Sequence, residues 1–162
     1  MNQETVTNAI PSPLGMLEVE LVGNAVTSIV VNADSTSAMW HTTGLPVLDE
    51  LAAQLTAYFA GELQTFTVPL APSGTPFQQS VWAELRKIGY GDTRTYGDIA
   101  ASLGKPGASR AVGAANGANR IPIVIPCHRV TAAGGKLGGY SAGGPSVKRK
   151  LLDLEQGTLF PA

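Results

Sequence analysis

The residues of this chain best suited to covalent chemistry lie together in residues 125–130, Ile-Pro-Cys-His-Arg-Val. Cys127 is the only cysteine among the 162 residues, and His128 and Arg129 follow it directly. A thiol with an ordinary pKa of about 8.5 is only slightly ionised at neutral pH, so a reactive cysteine needs a neighbouring base or cation. The pair that follows Cys127 offers both and predicts a nucleophile. The alternative is an inert cysteine buried in the core.

The apolar, β-branched residues 121–125 predict a buried strand that delivers Cys127 at its end. A single cysteine excludes disulfides within the chain and zinc clusters built from cysteines, which favours a reducing, cytoplasmic location. No stretch approaches the roughly 18 apolar residues of a membrane span, and the first residues lack the basic region of a signal peptide. We therefore expect a cytoplasmic protein without a membrane partner.

Charge is divided sharply along the sequence. All 11 Lys and Arg residues lie from Arg86 onward, whereas residues 1–85 carry eight acids and no basic residue, a charge of −8. Residues 86–162 combine 11 basic with four acidic residues for +7, and the two halves sum to the net charge of −1. This division predicts that the C-terminal half faces a polyanion such as DNA. The alternative is that the two halves attract each other.

The first half reads as a small α/β domain. Residues 17–22 and 25–31 alternate apolar and polar about Gly23-Asn24, which predicts an antiparallel hairpin. Helical spacing covers residues 45–60, and residues 66–70 predict another short strand. The Pro- and Gly-containing residues 71–76 predict a linker between a domain at 1–70 and a second at 77–162. We expect core positions for Trp40, Phe59 and Trp82, and no role for His41.

The second half is predominantly helical. Thr75 and Pro76 predict the start of a helix over residues 77–88. Two short helices, 96–103 and 108–116, are joined by a Gly-containing turn at 104–107, which predicts a helix-turn-helix. The second helix of this pair, residues 108–116, carries small residues apart from Arg110. Reading base edges in the major groove instead requires long polar side chains. This helix therefore predicts that its backbone approaches DNA closely, that Arg110 is the one long side chain reaching into the groove, and that base sequence is not read.

Several motifs in consistent order resemble the O6-alkylguanine-DNA alkyltransferases, the methylated-DNA–protein-cysteine methyltransferases. They are residues 77–82 (FQQSVW), 95–100 (TYGDIA), 110–113 (RAVG), 116–119, 126–130 (PCHRV), 139–141 (GYS) and 148–155. The resemblance covers nearly the whole chain. It implies an α+β fold, with a small N-terminal domain whose antiparallel sheet is like that of ribonuclease H. The mainly helical C-terminal domain would carry the helix-turn-helix in a winged-helix-like arrangement.

The resemblance also implies a chemistry. Cys127 matches the alkyl acceptor, His128 the base that deprotonates it through a water, and Glu155 the carboxylate that orients the imidazole. The thiolate would displace the alkyl group from guanine O6 in duplex DNA and form a stable thioether, so each molecule would act once. Whether O4-alkylthymine is a second substrate stays open.

Further positions match residues that handle the nucleotide. Tyr96 matches a tyrosine that helps rotate the phosphate and protonates the departing guanine, and Arg110 matches the side chain inserted through the minor groove. Asn119 matches an asparagine that braces the turn after the recognition helix. The remaining matches are the DNA-contacting Ala108, Ser109, Ala111 and Gly113, and the guanine pocket residues Val130, Tyr140 and Ser141.

The chain departs from the family pattern at two places. Arg120 stands where a proline usually follows the bracing asparagine, and the loop at 141–145 is one residue longer than in some relatives. Some relatives bind zinc in the N-terminal domain, but residues 1–85 contain no cysteine and only His41. We therefore expect no metal and no cofactor. The expected partner is duplex DNA containing O6-alkylguanine, bound at the nucleoid by a monomer without an obligate protein partner.

The sequence also has three alternative functions, and three of its site residues have alternative roles. A lesion-binding sensor of the alkyltransferase-like kind would lack the reactive cysteine, which is present here. A transcription regulator would need additional DNA-binding domains, and a cysteine hydrolase would need an oxyanion hole. At single positions, Tyr96 is alternatively a core residue, Arg110 a phosphate contact without insertion, and Glu155 a partner of Lys148, Arg149 and Lys150.

Overall fold

The computed structural model describes residues 3–32 and 43–157. The expectations for Trp40 and His41 therefore fall outside the described residues. Contacts between Cα atoms divide the chain into two compact units, Met1–Pro72 and Ser73–Ala162. The predicted linker at 71–76 contains this point of division, while the exact domain limits stay a prediction.

The first unit contains a three-stranded antiparallel sheet. Its strands β1 (Thr5–Ser12), β2 (Gly15–Val22) and β3 (Ala25–Asn32) pair in the order β1-β2-β3. The two-residue turn at Gly23 and Asn24 joins β2 to β3, with Gly23 at a φ of 62°, which glycine adopts at little cost. The predicted hairpin is confirmed. Alternation along β2 buries Leu17, Val19 and Leu21 on one face.

Helix α1 (Pro46–Phe59) packs against β1 and confirms the helical spacing of this segment. Its buried stripe is Leu48, Leu51, Leu55 and Tyr58. Phe59, expected in the core, is only half-buried and makes an edge-on ring contact with Tyr58.

The prediction of a strand at residues 66–70 is wrong. Only an isolated bridge between Val26 and Leu70 forms there, with hydrogen bonds from Val26 N to Pro69 O and from Ala71 N to Val26 O, both 2.9 Å. Pro69 has no N–H to extend a ladder. The amide of Thr67 instead donates to the Gln54 side chain at 3.0 Å, so this segment is fastened to α1.

The described part of the second unit, residues 73–157, contains four α-helices. They are α2 (Pro76–Leu85), α3 (Tyr96–Ser102), α4 (Ser109–Gly117) and α5 (Gly144–Glu155). Short strands β4 (Arg94–Thr95) and β5 (Val130–Thr131) pair in parallel. Helices α2, α3 and α4 pack against one another, and α3 and α4 confirm the predicted helix-turn-helix.

Side-chain caps set where two of these helices begin. Thr75 accepts from Gln78 N while the Gln78 side chain accepts from Thr75 N, and Thr95 and Asp98 repeat the arrangement. The second capping box fixes Tyr96 as the first residue of α3. Helix α2 ends at Leu85, three residues before the predicted end, because the following amides bond to carbonyls three residues back, as from Ile88 N to Leu85 O at 3.0 Å.

Trp82 connects α2 to α4, which makes it a core residue as predicted. The side chain is buried, and its indole N–H donates to Ala115 O at 2.8 Å. Within the described ranges, no helix is both long and apolar enough to cross a membrane. The same residues contain no group of three or more His, Cys, Asp or Glu side chains arranged to hold a metal ion.

Candidate active site

The segment before Cys127 is a tight turn, so the prediction of a buried strand at 121–125 is wrong. Ile125 N donates to Ile121 O at 2.9 Å, which folds the chain back on itself. Pro122 lacks the N–H that a ladder would need. Ile123 is buried at a φ of 74°, the only positive φ at a non-glycine residue in the described chain. A β-branched residue in this region is strained by about 1–3 kcal/mol, so the surroundings must hold the turn in place.

Asn119 supplies that constraint. Its carbonyl oxygen accepts from Ile121 N at 3.0 Å and its amide donates to Ile125 O at 2.9 Å, so one buried side chain closes both ends of the turn. The Asn119 side chain also hydrogen bonds to Cys127. The predicted bracing residue therefore contacts both the turn and the thiol. Arg120, beside it, is exposed.

Cys127 begins a single 3₁₀ turn, Cys127–Arg129, and is only 2% exposed. Burial raises the pKa of the Cys127 thiol, and this effect outweighs opposing contributions from Asn119, Tyr140 and the charge of Lys148. The resting thiol is therefore protonated. It differs from reactive cysteines whose thiolate is stable at neutral pH, and it needs a base before it can act as a nucleophile.

His128 is fully buried and holds one nitrogen against a carboxylate. Nε2 lies 2.6 Å from Glu155 Oε2, while Nδ1 has no hydrogen-bond partner among the described residues. A carboxylate only accepts, so Nε2 carries the proton and Nδ1 presents its lone pair. Burial lowers the pKa of His128, with support from the charges of Arg129 and Lys148 and opposition from Glu155. The structure thus brings together a neutral imidazole and a neutral thiol.

Arg129 is the second partner of Glu155, and its role was missed in the sequence. Its Nε donates to Glu155 Oε1 at 2.8 Å, Nη2 donates to Oε2 at 3.1 Å, and Nη1 donates to Ile88 O at 2.7 Å. Gly91 N adds a longer bond of 3.3 Å to Oε1. These partners favour the predicted pairing of Glu155 with the imidazole over the alternative pairing with Lys148, Arg149 and Lys150. Arg149 instead lies 3.9 Å from Asp153.

Lys148 was likewise missed as a site residue because it was counted with the basic surface. Its side chain is buried, and Nζ donates to Gly139 O at 3.1 Å, which fastens the loop after β5 to α5. Burial lowers the pKa of Lys148, and the nearby Cys127 opposes that shift. A buried cation close to a thiol favours the ionised sulfur when it forms.

A cavity of about 220 Å³ lies beside the thiol. It is lined by Tyr96, Gly113, Asn116, Gly117, Gly139, Tyr140 and Ser141. Two of the lining residues hydrogen bond to Cys127: the Asn116 side chain bonds to its carbonyl and the Tyr140 side chain to its sulfur. Cys127 therefore lies directly behind the wall of the cavity. Among the predicted pocket residues, Val130 is instead fully buried in β5, and the Ser141 hydroxyl donates to Gly117 O at 3.0 Å.

Tyr96 lies at the edge of this cavity, close to a glycine. A Cβ added to Gly138 would lie 3.1 Å from the Tyr96 hydroxyl, and Gly138 has a φ of 74°, so a larger residue there would be strained and crowded. Burial raises the pKa of Tyr96, and the charge of Cys127 adds to the effect. The phenol therefore keeps its proton at neutral pH, as a proton donor must.

Helix α4 presents a face of small residues to solvent. Arg110 and Ala111 are exposed, and Arg110 makes no ion pair in the part of the chain that is described. Ser109 and Gly113 are half-buried, and Ala108 precedes the helix without a side-chain cap. Eight basic residues of the second unit are exposed, namely Arg86, Lys87, Lys105, Arg110, Arg120, Lys136, Arg149 and Lys150.

The electrostatics of this site predict how the thiol titrates. The pKa of Cys127 should lie above the ordinary value of about 8.5 because burial dominates. Lys148→Met should raise it further by removing a cation, whereas the exposed Lys150→Met should leave it unchanged. Because Cys127 is the only cysteine, ultraviolet absorbance of the thiolate reports it directly, with Cys127→Ser as the blank. A wild-type value below the ordinary one, or a decrease in Lys148→Met, contradicts this description.

Comparison with known proteins identifies relatives over almost the full chain. Residues 6–72 match the family model described as 6-O-methylguanine DNA methyltransferase, ribonuclease-like domain. Residues 76–157 match the one described as 6-O-methylguanine DNA methyltransferase, DNA binding domain. The two models follow each other in the order of the two structural units.

Individual relatives agree with these matches. The methylated-DNA–protein-cysteine methyltransferase of Mycobacterium tuberculosis is 48% identical over 149 residues, which span 91% of this chain and 90% of the relative. The protein of that name from Methanosarcina acetivorans is 60% identical over 106 residues, 65% of this chain and 67% of the relative. A crystal structure of M. tuberculosis OGT in complex with DNA has a TM-score of 0.83 and 47% identity, covering 94% of this chain and 93% of that chain.

These matches confirm the resemblance inferred from the motifs and the α+β fold it implied. Since both domain models match in order and the M. tuberculosis relatives extend over nine-tenths of the sequence, the chain belongs to the 6-O-methylguanine DNA methyltransferase family.

Proposed function

We propose that this chain repairs alkylated DNA by transferring an alkyl group from guanine O6 to the sulfur of Cys127. The observation that carries the proposal is a buried, protonated thiol at a cavity, next to a neutral imidazole held by a carboxylate. This is the nucleophile, base and orienting group of covalent catalysis, directed here at an alkyl carbon. The names of relatives that match nearly the whole chain support the same activity.

The thiolate forms only when a base takes its proton. His128 fits this role because its Nδ1 has a free lone pair while Glu155 holds Nε2. The proton passes from the thiol through a water to Nδ1. Lys148 and the hydrogen bonds from Asn119 and Tyr140 then stabilise the sulfur anion, since each of them lowers the pKa that burial has raised.

Displacement forms the S–C bond as the O6–C bond breaks, with the electron pair of that bond leaving on guanine. Tyr96 donates a proton to the departing base, and its raised pKa supports this because the phenol stays protonated until then. The imidazolium then gives its proton to the phenolate, which restores neutral His128 and Tyr96. The net result is one proton lost by the thiol and one gained by guanine. An alkyl thioether is stable to water at neutral pH, so each molecule acts once.

The reacting atom of the nucleotide lies within a stacked duplex and must be rotated out to reach a buried thiol. The exposed face of α4 fits the minor groove because Ala111 and Gly113 let the backbone approach, while the unpaired Arg110 is long enough to fill the vacated stack. Ala108 and Ser109 precede it at the start of the helix, where backbone N–H groups meet phosphates. The eight exposed basic residues supply attraction that does not depend on sequence.

We also propose which lesion is repaired and in what state the protein binds it. The substrate is O6-alkylguanine in double-stranded DNA, and the protein binds it as a monomer without a cofactor. The lone cysteine would persist as a thiol in a reducing cytoplasm, where the protein meets the nucleoid. A lesion sensor that does not react is disfavoured because Cys127 is present together with a base and an orienting carboxylate.

Mass spectrometry tests the transfer. Incubation with a duplex containing O6-methylguanine should add one methyl group per protein molecule, located on the peptide that contains Cys127. Cys127→Ala should gain no mass yet retain binding to the duplex, because the thiol contributes reactivity and little contact area. Binding without any mass change in the wild-type protein would instead indicate a sensor. The absence of both binding and transfer would overturn the DNA assignment.

A second experiment tests the role of Arg110. Arg110→Ala should slow repair of duplex DNA by about tenfold or more, because the flipped state loses the side chain that stabilises it. Reaction with free O6-benzylguanine should change little, since a free base needs no flipping. Lys150→Ala removes the same charge from α5 and serves as the control. Equal losses on duplex and free base, or an equal loss in the control, would contradict insertion by Arg110.

A further inference from the structure

Asn116 has an unused hydrogen-bond acceptor next to Cys127. The residue lies on the inner side of α4, is 5% exposed and lines the cavity beside the thiol. Its Nδ2 donates to the carbonyl oxygen of Cys127 at 3.3 Å. Its Oδ1 is buried and has no donor among the described residues. No step of the proposed alkyl transfer uses this oxygen.

The orientation of the amide follows from its one bond. The Cys127 carbonyl only accepts, so the NH₂ group of Asn116 must face it, and the reversed amide would oppose two oxygens. The unpartnered atom is therefore the oxygen. A buried acceptor without a donor is costly, so each one calls for an explanation, such as a role in the reaction or a bound partner. The missing partner must carry an N–H or O–H.

The chemistry of the proposed substrate supplies one such group. Alkylation at O6 removes the hydrogen from guanine N1, so the exocyclic N2 amine is the only N–H donor left on the pairing edge of the base. Hypoxanthine alkylated at O6 is the same ring system without that amine. Thymine alkylated at O4 likewise has no N–H, because its N3 loses the hydrogen. Of these three lesions, an isolated acceptor in the pocket favours O6-alkylguanine.

We propose that Asn116 is a specificity-determining residue whose Oδ1 accepts a hydrogen bond from the N2 amine of the flipped O6-alkylguanine. The inference rests on the proposed alkyl transfer and adds to it the feature by which the lesion is recognised. Since the same side chain is bonded to the Cys127 carbonyl, it ties the base to the residue that attacks it. The bond therefore both selects the base and sets its position relative to the sulfur.

Two duplexes that differ by one amine test this assignment. Single-turnover rates are measured on O6-methylguanine and on O6-methylhypoxanthine at the same position. Wild-type protein should react about tenfold faster or more with the guanine lesion, because the hypoxanthine lesion leaves Oδ1 unsatisfied. Leucine has about the same shape as asparagine but no hydrogen-bond acceptor. In Asn116→Leu the ratio of the guanine rate to the hypoxanthine rate should therefore fall towards one, chiefly because the guanine lesion reacts more slowly.

The control is a second amide at the same site. Asn119→Leu removes bonds that hold the turn and should slow both substrates alike, so the wild-type ratio is kept. If Asn116→Leu also slows both alike, Asn116 is a structural residue and the inference is overturned. Asn116→Leu could react too slowly for its rates to be measured. In that case, the affinities for the two duplexes are compared in Cys127→Ala and in the double variant Cys127→Ala, Asn116→Leu, neither of which can transfer the methyl group. Cys127→Ala should bind the guanine duplex more tightly than the hypoxanthine duplex, and the double variant should lose that preference. Transfer from neither lesion by wild-type protein would overturn the proposed function instead, whereas equal rates on both would overturn only the role of Asn116.

Discussion

The buried carboxylate of Glu155 is the group on which the arrangement of the site depends. Removing a carboxylate from water costs several kcal/mol unless its oxygens are fully paired. Here His128 Nε2, two nitrogens of Arg129 and the Gly91 amide all point at it. Glu155 is the last residue of α5, while its partners lie in the 3₁₀ turn Cys127–Arg129 and in the loop after α2. One interaction therefore fixes three segments together and sets the direction of the imidazole.

Compensation by Arg129 also governs the chemistry. A carboxylate paired only with His128 would favour the imidazolium, whereas this carboxylate shares its charge with a guanidinium. Burial then prevails, the pKa of His128 falls and that of the Cys127 thiol rises. The site rests as a neutral pair. A buried thiol that keeps its proton reacts slowly with oxidants and reagents in solution, which would preserve the only cysteine of the chain for the proposed transfer.

Much of this organisation could be predicted from the sequence because local rules determine it. The capping residues Thr75 and Thr95 and the turn at Gly23 mark element boundaries through backbone hydrogen bonds within a few residues. The pairing of His128 with Glu155, 27 positions apart, followed from the family resemblance, since no spacing rule predicts it.

The errors arose where tertiary contacts override local pattern. Residues 121–125 have the composition of a strand, yet Pro122 and the side chain of Asn119 impose a turn with Ile123 at positive φ. Arg129 and Lys148 were counted with the charge that faces DNA, although both are buried. Charge counting along a sequence does not distinguish a cation on the surface from one that compensates a buried anion.

The tautomer of His128 is the most direct test of the role of Glu155. A long-range ¹⁵N–¹H correlation spectrum separates the two neutral tautomers and the imidazolium, and the chain has only one other histidine, His41, which His41→Gln removes from the spectrum. We expect a neutral ring protonated at Nε2 near neutral pH, with Nδ1 unprotonated. A ring protonated at Nδ1, or an imidazolium at that pH, would contradict the role given to Glu155 and to the base.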